Sequence, residues 1–153
     1  MFTISASRVI HAPAQAVYDV IADYRVAHPA VLPESFFESM TVEEGGYGAG
    51  TVVLLKGKAF GKVQTMRQRV TEPEPGRVIK EADVDSTQYT TFTFDPLGEA
   101  QTRLTIYSSF PVKPGIRGWV ERLLVPMLLR PVYNEELDNI AAYVAKPRQQ
   151  TSS

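Results

Sequence analysis

The sequence predicts an α+β fold, in which a curved antiparallel sheet of about seven strands wraps around a long C-terminal helix and two short helices follow the first strand. Three observations predict it. Between residues 40 and 110, runs of alternating apolar residues are separated by short segments rich in Gly and Pro. Connections this short join antiparallel neighbours. From residue 115 to residue 145, apolar residues recur at the spacing of one helix face.

The first forty residues carry the signals of one strand and two short helices. Residues 2–10 place alternate apolar side chains on one face, which predicts the first strand. Pro13 suits the first turn of a helix. An apolar stripe follows it: Ala16, Val17, Val20, Ile21 and Tyr24. Pro29 and Pro33 exclude one long helix over residues 25–40, so we expect a short helical turn around residues 31–37.

The central part of the chain is expected to form the rest of the sheet. The predicted strands cover residues 40–44, 50–57, 61–72, 77–84, 88–95 and 102–110. The phase is clearest in the last two, because Phe92 and Phe94 alternate with threonines, and Leu104 and Ile106 alternate with polar residues in the same way. We therefore expect these four side chains to face the core.

Residues 115–145 predict the long terminal helix. Its apolar residues repeat at helical spacing: Ile116, Trp119, Val120, Leu123, Tyr133, Leu137, Ile140, Ala141 and Val144. Pro126 and Pro131 lie inside this pattern, and each removes a backbone donor at a cost of about 3 kcal/mol unless the hydrogen bonding is rearranged. We therefore expect the helix to be bent or to consist of two pieces.

Length and composition limit the classes of protein to which the chain can belong. A chain of 153 residues, 44% of them hydrophobic, predicts one domain, placed at residues 1–146, with a disordered polar tail at 147–153. The sequence contains no cysteine, which excludes disulfides, thiol nucleophiles and thiolate zinc sites and agrees with the cytoplasmic location that we expect. A net charge of −1 provides no overall attraction for nucleic acid, so no nucleic-acid partner is predicted.

Signatures of membrane insertion and of cofactor binding are missing from the sequence. No apolar run approaches the roughly 20 residues that a bilayer span requires, and residues 1–8 do not resemble a secretory signal. Gly-rich phosphate loops and the His-Glu-x-x-His and Gly-x-Ser-x-Gly motifs are also missing. The glycines of residues 45–50 predict a hairpin rather than a phosphate site. We expect no transmembrane segment, no metal and no other cofactor.

Three stretches of the sequence resemble a known superfamily. Ala12-Pro13 is followed by Val17, Ile21 and Asp23-Tyr24, and residues 70–77 and 92–105 agree with the same pattern. Together these stretches resemble the START-related (SRPBCC) superfamily, which includes polyketide cyclase/dehydrase proteins, birch-pollen-allergen-like proteins and lipid-transfer domains. The resemblance covers about residues 2–145 and implies the helix-grip fold with a cavity between the sheet and the last helix.

This resemblance implies a site for a small hydrophobic or amphipathic ligand. Phase predicts its lining residues, which are Leu55, Met66, Phe92, Phe94, Leu104 and Ile106 on the sheet and Trp119, Leu123 and Met127 on the helix. The alternative is that these side chains pack together as a solid core, since core and cavity wall share one periodicity.

Candidate catalytic groups are few. His11 and His28 are the only imidazoles, and we expect both to be ordinary surface or junction residues, with His28 the stronger candidate because it follows the first helix. Glu81 shares a strand face with Ile79, and it could serve as an acid or base if that face points inward, although solvated sheet surface is the expected position. Tyr89 shares the phase of threonines expected on the convex side.

Three functions fit these observations. The first is binding or transport of a small hydrophobic molecule by a monomer or weak homodimer, which requires only the cavity. The second is a cyclase/dehydrase-type enzyme using general acid–base catalysis, which requires two of the candidates Glu81, Tyr89 and His28 in one pocket. The third is a protein-interaction domain. Residues 119–129 also combine an apolar stripe with arginines, and they could touch a lipid surface, although packing in the core is the expected role.

Overall fold

The computed structural model of the chain describes residues 1–59 and 61–146; the tail predicted at 147–153 lies outside them. The elements are β1 (Phe2–Ile10), α1 (Ala14–Ala22), α2 (Ala27–Val31), β2 (Phe37–Glu44), β3 (Val52–Ala59), β4 (Lys62–Glu74), β5 (Val78–Asp83), β6 (Tyr89–Pro96), β7 (Thr102–Phe110) and α3 (Gly115–Ala145).

The seven strands form one antiparallel sheet in the order β1-β7-β6-β5-β4-β3-β2. Hairpins join each consecutive pair of strands from β2 to β7, and β1 pairs with β7 as the edge strand on that side. The long helix α3 and the two short helices pack on the concave face of this sheet, so the predicted helix-grip fold is confirmed.

The second helix lies earlier than the sequence predicts. It covers Ala27–Val31, and residues 33–37 form only a turn in which the Pro33 carbonyl accepts the amide protons of Phe36 and Phe37. The Asp23 carboxylate explains the early start, because it accepts hydrogen bonds from the amides of three successive residues after Tyr24 (3.1–3.2 Å). A carboxylate in this position satisfies the amides that a helix N-terminus leaves free.

Helix α3 is continuous through both prolines, so of the two alternatives predicted, a bent helix or one in two pieces, the second is wrong. Pro126 and Pro131 leave the carbonyls of Arg122 and Met127, four residues earlier, without their helical donors. Arg122 and Met127 are exposed, so water can hydrate both carbonyls and the helix need not break there.

The two halves of α3 bury different faces. Tyr133, Leu137 and Ile140 pack in the core as predicted for the second half, and Ala141 and Val144 pack against it; Leu129 and Val132, which were not predicted, are also buried. The predicted core stripe of the first half is exposed, and that expectation is corrected: Ile116, Trp119, Val120 and Leu123 face away from the sheet. At about 100° per residue the apolar stripe of the first half is rotated by more than 90° from the buried stripe of the second, so both cannot face the sheet.

Candidate functional site

A cavity of about 400 Å³ lies between the concave face of the sheet and α3. Its walls are mostly apolar, and the side chains come from β1 to β7, α2, the α2–β2 connection and α3. The apolar lining residues are Phe2, Leu32, Phe36, Phe37, Met40, Leu55, Met66, Phe92, Ile106, Phe110, Val125, Leu128 and Leu129. A space of this size between curved sheet and helix is typical of a small-molecule site.

The structure places four of the nine predicted lining residues on the cavity wall: Leu55, Met66, Phe92 and Ile106. Phe94 and Leu104 are buried but lie beyond the cavity, where α1 covers the sheet; the rings of Tyr18 and Phe94 make an edge contact at 5.6 Å between centroids. Trp119, Leu123 and Met127 are 66%, 52% and 73% exposed, so the prediction that they line the cavity is corrected.

A buried polar group on β5 closes the inner end of the cavity. Glu81 is 5% exposed and accepts a hydrogen bond from the hydroxyl of Tyr24 (2.7 Å). His28 Nε2 lies 3.9 Å from Glu81 Oε2, and His28 Nδ1 is 2.8 Å from the carbonyl oxygen of Ile21. Burial raises the pKa of Glu81, while His28 and the Tyr24 hydrogen bond act in the opposite direction. Glu81 is therefore not on solvated sheet surface as expected, and His28, expected to be an ordinary surface or junction residue, is buried against the cavity.

A second carboxyl group, on α3, points into the same inner end. Glu136 is 4% exposed, and its Oε2 has no hydrogen-bond partner. Burial, together with the nearby Glu81, raises the pKa of Glu136 to about 8. Across the cavity on β4, the Oε1 of the buried Gln68 is also without a partner. Two unpaired oxygen acceptors therefore lie at the inner end, where each costs stability until a donor reaches it.

Hydroxyl groups complete the polar lining. Tyr133 on α3 is hydrogen-bonded to Ser108, and the Ser108 hydroxyl lies 2.6 Å from that of Thr90. Burial raises the pKa of Tyr133 to about 12, although the hydrogen bond with Ser108 opposes this shift. Thr90 and Tyr133 line the cavity, so a bound molecule would meet hydroxyls that can donate or accept.

The outer end of the cavity is charged. The exposed lining residues are Lys62 and Gln64 at the start of β4 and Lys113 and Arg117 near the start of α3. Glu121 also lines this end and forms ion pairs with Lys113 (3.4 Å) and Arg117 (3.3 Å). The exposure of these side chains identifies this end as the mouth.

Other residues considered from the sequence lie outside the cavity. Tyr89 is on the convex face, beside Tyr107 and under the Lys80 ammonium group, as its phase predicts. His11 is exposed. In the glycine segment of residues 45–50, the amide of Ala49 donates to the Glu72 carboxylate (2.9 Å), and this negative charge disfavours a phosphate there.

Four polar residues of the site are not predicted from the sequence: Tyr24, Gln68, Tyr133 and Glu136. Two of them carried a signal. Glu136 falls within the apolar i, i+3, i+4 pattern of α3, between Val132 and Ile140, and Gln68 lies on the strand phase of Met66 and Val70. A polar residue on a face that is otherwise apolar is the sign of a buried polar site.

Two negative observations apply to residues 1–59 and 61–146. No group of three or more acidic or histidine side chains in these ranges is arranged to hold a metal ion. In the same part of the chain, no helix combines the length and the apolar composition that crossing a bilayer requires.

The fold is shared with several solved structures. The NMR structure of KanY protein has a TM-score of 0.82 and 25% identity, covering 95% of this chain and 98% of that chain. The Zhui aromatase/cyclase from Streptomyces sp. R1128 has a TM-score of 0.77 at 17% identity, covering 94% and 93%. Norcoclaurine synthase from Thalictrum flavum has a TM-score of 0.70 at 16% identity, covering 96% and 89%. Identities as low as the last two show a common fold only.

The sequence itself decides the family. No curated protein matches it significantly. The family model described as polyketide cyclase/dehydrase and lipid transport matches residues 1–145, which is nearly the whole chain. This match confirms the resemblance drawn from residues 12–24, 70–77 and 92–105, and it agrees with both a ligand-binding and a cyclase role. The chain belongs to the polyketide cyclase/dehydrase and lipid transport family.

Proposed function

We propose that the cavity binds a small amphipathic molecule with its apolar body toward the mouth and a hydrogen-bond donor at the inner end. The observation that carries the proposal is the pair of unpartnered buried oxygens, Glu136 Oε2 and Gln68 Oε1, at the end of an apolar cavity of about 400 Å³. A donor from a ligand would satisfy acceptors that no described residue satisfies.

The charge of the inner end restricts the ligand. Glu81 and Glu136 both line this end, so a carboxylate or phosphate placed there would either meet like charge or require both carboxyl groups to stay protonated, in a medium of low dielectric. A neutral hydroxyl group or an amine can donate to the unpaired oxygens of Gln68 and Glu136 without adding a negative charge. We infer that the bound molecule is a phenol, an alcohol or an amine on an aromatic or alicyclic body, and that a fatty-acid head group does not enter first.

The fold neighbours support a small aromatic ligand. One is named an aromatase/cyclase, and norcoclaurine synthase was solved in complex with dopamine and hydroxybenzaldehyde, both of them small aromatic molecules. Those ligands belong to those proteins. They guide the choice of probe for this chain.

A matched pair of probes tests the predicted donor. We expect 7-hydroxyflavone to bind at least about fivefold more tightly than 7-methoxyflavone, since a hydrogen bond to an unpaired buried acceptor is worth about 1–3 kcal/mol. Titration calorimetry measures both. Replacing Met66, on the cavity wall, by tryptophan should abolish binding, whereas Thr65→Trp on the outer face of the same strand should not. Equal affinity for the two probes would contradict a hydrogen bond donated by the ligand at the inner end. Binding unchanged by Met66→Trp would contradict the cavity as the binding site.

One observation favours a second candidate, an acid–base enzyme. The cavity holds Glu136, which keeps its proton near neutral pH, together with His28 and Glu81, which lie 3.9 Å apart. Glu136 can donate a hydrogen bond or a proton to a carbonyl oxygen, and His28 or Glu81 can accept the proton of the adjacent carbon. Two of the three candidates predicted from the sequence thus share one pocket, while Tyr89 lies outside it.

Hydrogen–deuterium exchange at the α-carbon of 2-tetralone in D₂O tests this candidate. The acid–base hypothesis predicts exchange at least about 100-fold above buffer, loss of this acceleration in Glu136→Gln, and an unchanged rate in Tyr89→Phe. It also predicts loss in either Glu81→Gln or His28→Gln, according to which of the two groups is the base. Exchange at the buffer rate, with 7-hydroxyflavone still bound, would leave binding alone as the proposed function.

A further inference from the structure

The first half of α3 exposes a continuous apolar surface, which we call the outer stripe. It consists of Ile116, Trp119, Val120, Leu123, Leu124 and Met127. Ile116 is 82% exposed and Met127 is 73% exposed, so these side chains make little contact with the rest of the protein. Six large apolar residues exposed on adjacent turns of one helix mark an interaction surface rather than ordinary surface composition.

The outer stripe points directly away from the protein. At about 100° per residue, its six residues fall within an arc of about 140° on the helix. The opposite side of the same turns carries Gly118 and Leu129, which are buried, and Val125, which lines the cavity. The first half of α3 is therefore apolar on both sides: one side closes the cavity and the other faces solvent.

The charge around the outer stripe is positive. Residues 112–130 contain Lys113, Arg117, Arg122 and Arg130 and a single acidic residue, Glu121, whereas the whole chain has a net charge of −1. On the helix, Arg117 and Arg122 lie at the two edges of the stripe, and both are exposed. An apolar stripe bordered by arginines is the pattern of a helix that lies in the interface of an anionic membrane.

We propose that the outer stripe docks the protein on an anionic lipid bilayer, with α3 parallel to the membrane plane. The six apolar side chains enter the interface, and the flanking arginines and Lys113 bind lipid phosphates. A second copy of this chain is a poorer partner for the outer stripe. Each copy would bring three net positive charges to the contact, and the two sets would repel each other. The proposal goes beyond ligand binding in the cavity and does not depend on it.

Docking in this orientation also brings the mouth of the cavity to the lipid surface. Lys113 and Arg117 belong both to the positive border of the outer stripe and to the mouth. A membrane bound at the stripe therefore lies beside the entrance, where an apolar molecule could pass from lipid to cavity without crossing water.

Vesicle sedimentation tests the docking. The probes are vesicles of phosphatidylcholine alone and of phosphatidylcholine with 30% phosphatidylglycerol. We expect the wild-type chain to bind the anionic vesicles at least tenfold more tightly than the neutral ones. Trp119 is the only tryptophan, so its emission should shift to the blue and be quenched by brominated lipid. The proposal is wrong if Trp119 emission is unchanged at saturating anionic lipid, or if both vesicles bind equally.

Matched variants locate the contact. The double variant Trp119→Ser with Met127→Ser should lose at least tenfold in binding, and Arg122→Glu should act in the same direction. Val26 and Leu97 are apolar and exposed in loops outside α3, so Val26→Ser with Leu97→Ser is the control and should bind as the wild type does. An equal loss of vesicle binding in the control would contradict the assignment of the surface. So would a wild-type chain that binds no vesicles but forms a dimer in sedimentation velocity, if Met127→Ser dissociates that dimer. Met66→Trp should block the cavity and leave docking intact, so failure of one proposal can be told from failure of the other.

Discussion

Replacing Glu136 by glutamine should remove a loss of stability that the wild-type chain undergoes as the pH rises. Burial beside Glu81 raises the pKa of Glu136 from 4.5 to about 8 in the folded chain. Between these values the folded chain keeps a proton that the unfolded chain has released. Unfolding therefore releases a proton, and rising pH favours the unfolded state; the stabilisation is complete below pH 4.5 and is lost by about pH 8.

The size of the effect follows from the same two pKa values. A change from 4.5 to about 8 corresponds to roughly 5 kcal/mol over the whole range, of which roughly 3 kcal/mol is lost by pH 7. This is a large fraction of the 5–15 kcal/mol that typically stabilises a domain, and it would move a urea midpoint by about 1–3 M. Burial raises the pKa of Glu81 as well, so part of the pH dependence remains in the variant.

Urea unfolding at pH 5, 6, 7 and 8 measures the effect as the difference in unfolding free energy between wild type and Glu136→Gln. We expect the wild type to lose stability relative to the variant steadily across this range. The exposed neighbour Glu135 provides the control, because Glu135→Gln should follow the wild-type profile. If the difference in unfolding free energy between wild type and Glu136→Gln stays constant from pH 5 to pH 8, Glu136 is not a buried, protonated carboxyl group.

Three further substitutions have defined outcomes. Tyr24→Phe removes the donor to buried Glu81 and should cost about 1–3 kcal/mol in urea unfolding at pH 7; an unchanged midpoint would contradict the 2.7 Å hydrogen bond. Gly118→Ala should lower the melting temperature although alanine favours helix, because its Cβ would lie 1.6 Å from the Lys113 carbonyl oxygen; a higher melting temperature would show that this close approach is absent. Pro126→Ala restores a donor to the Arg122 carbonyl inside a continuous helix and should stabilise by about 1–3 kcal/mol, whereas destabilisation would indicate that the chain needs the proline there.

Most of the fold could be predicted from local patterns. The bounds of β1, β7 and α3 agree with the residues predicted for them, because alternation and helical spacing extend over whole elements there and turn residues end them. The second helix, α2, lies earlier than predicted because of a side-chain hydrogen-bonding pattern rather than an apolar one. The side chain of Asp23 sets its start through hydrogen bonds that apolar spacing does not record.

The site was predicted only in part, because phase identifies a face and not the partner that covers it. Phe92 and Phe94 share one face of β6, yet only Phe92 reaches the cavity, since α1 covers Phe94. Trp119 and Tyr133 belong to apolar stripes of similar spacing, yet Trp119 is exposed and Tyr133 is buried, because the two halves of α3 meet different surroundings. Glu81 and His28 come together from β5 and α2, a pairing that depends on how the helices pack on the sheet.

Methyl NMR shows directly whether the inner end of the cavity holds the ligand. In a chain with ¹³C-labelled methyl groups, titration with 7-hydroxyflavone should move the signals of Leu55, Met66 and Ile106 and leave those of Leu97 and Met127 in place. Saturable shifts confined to the three cavity residues are the predicted result. Shifts confined to Met127 and the other exposed methyl groups, or no shifts at all, would contradict the account.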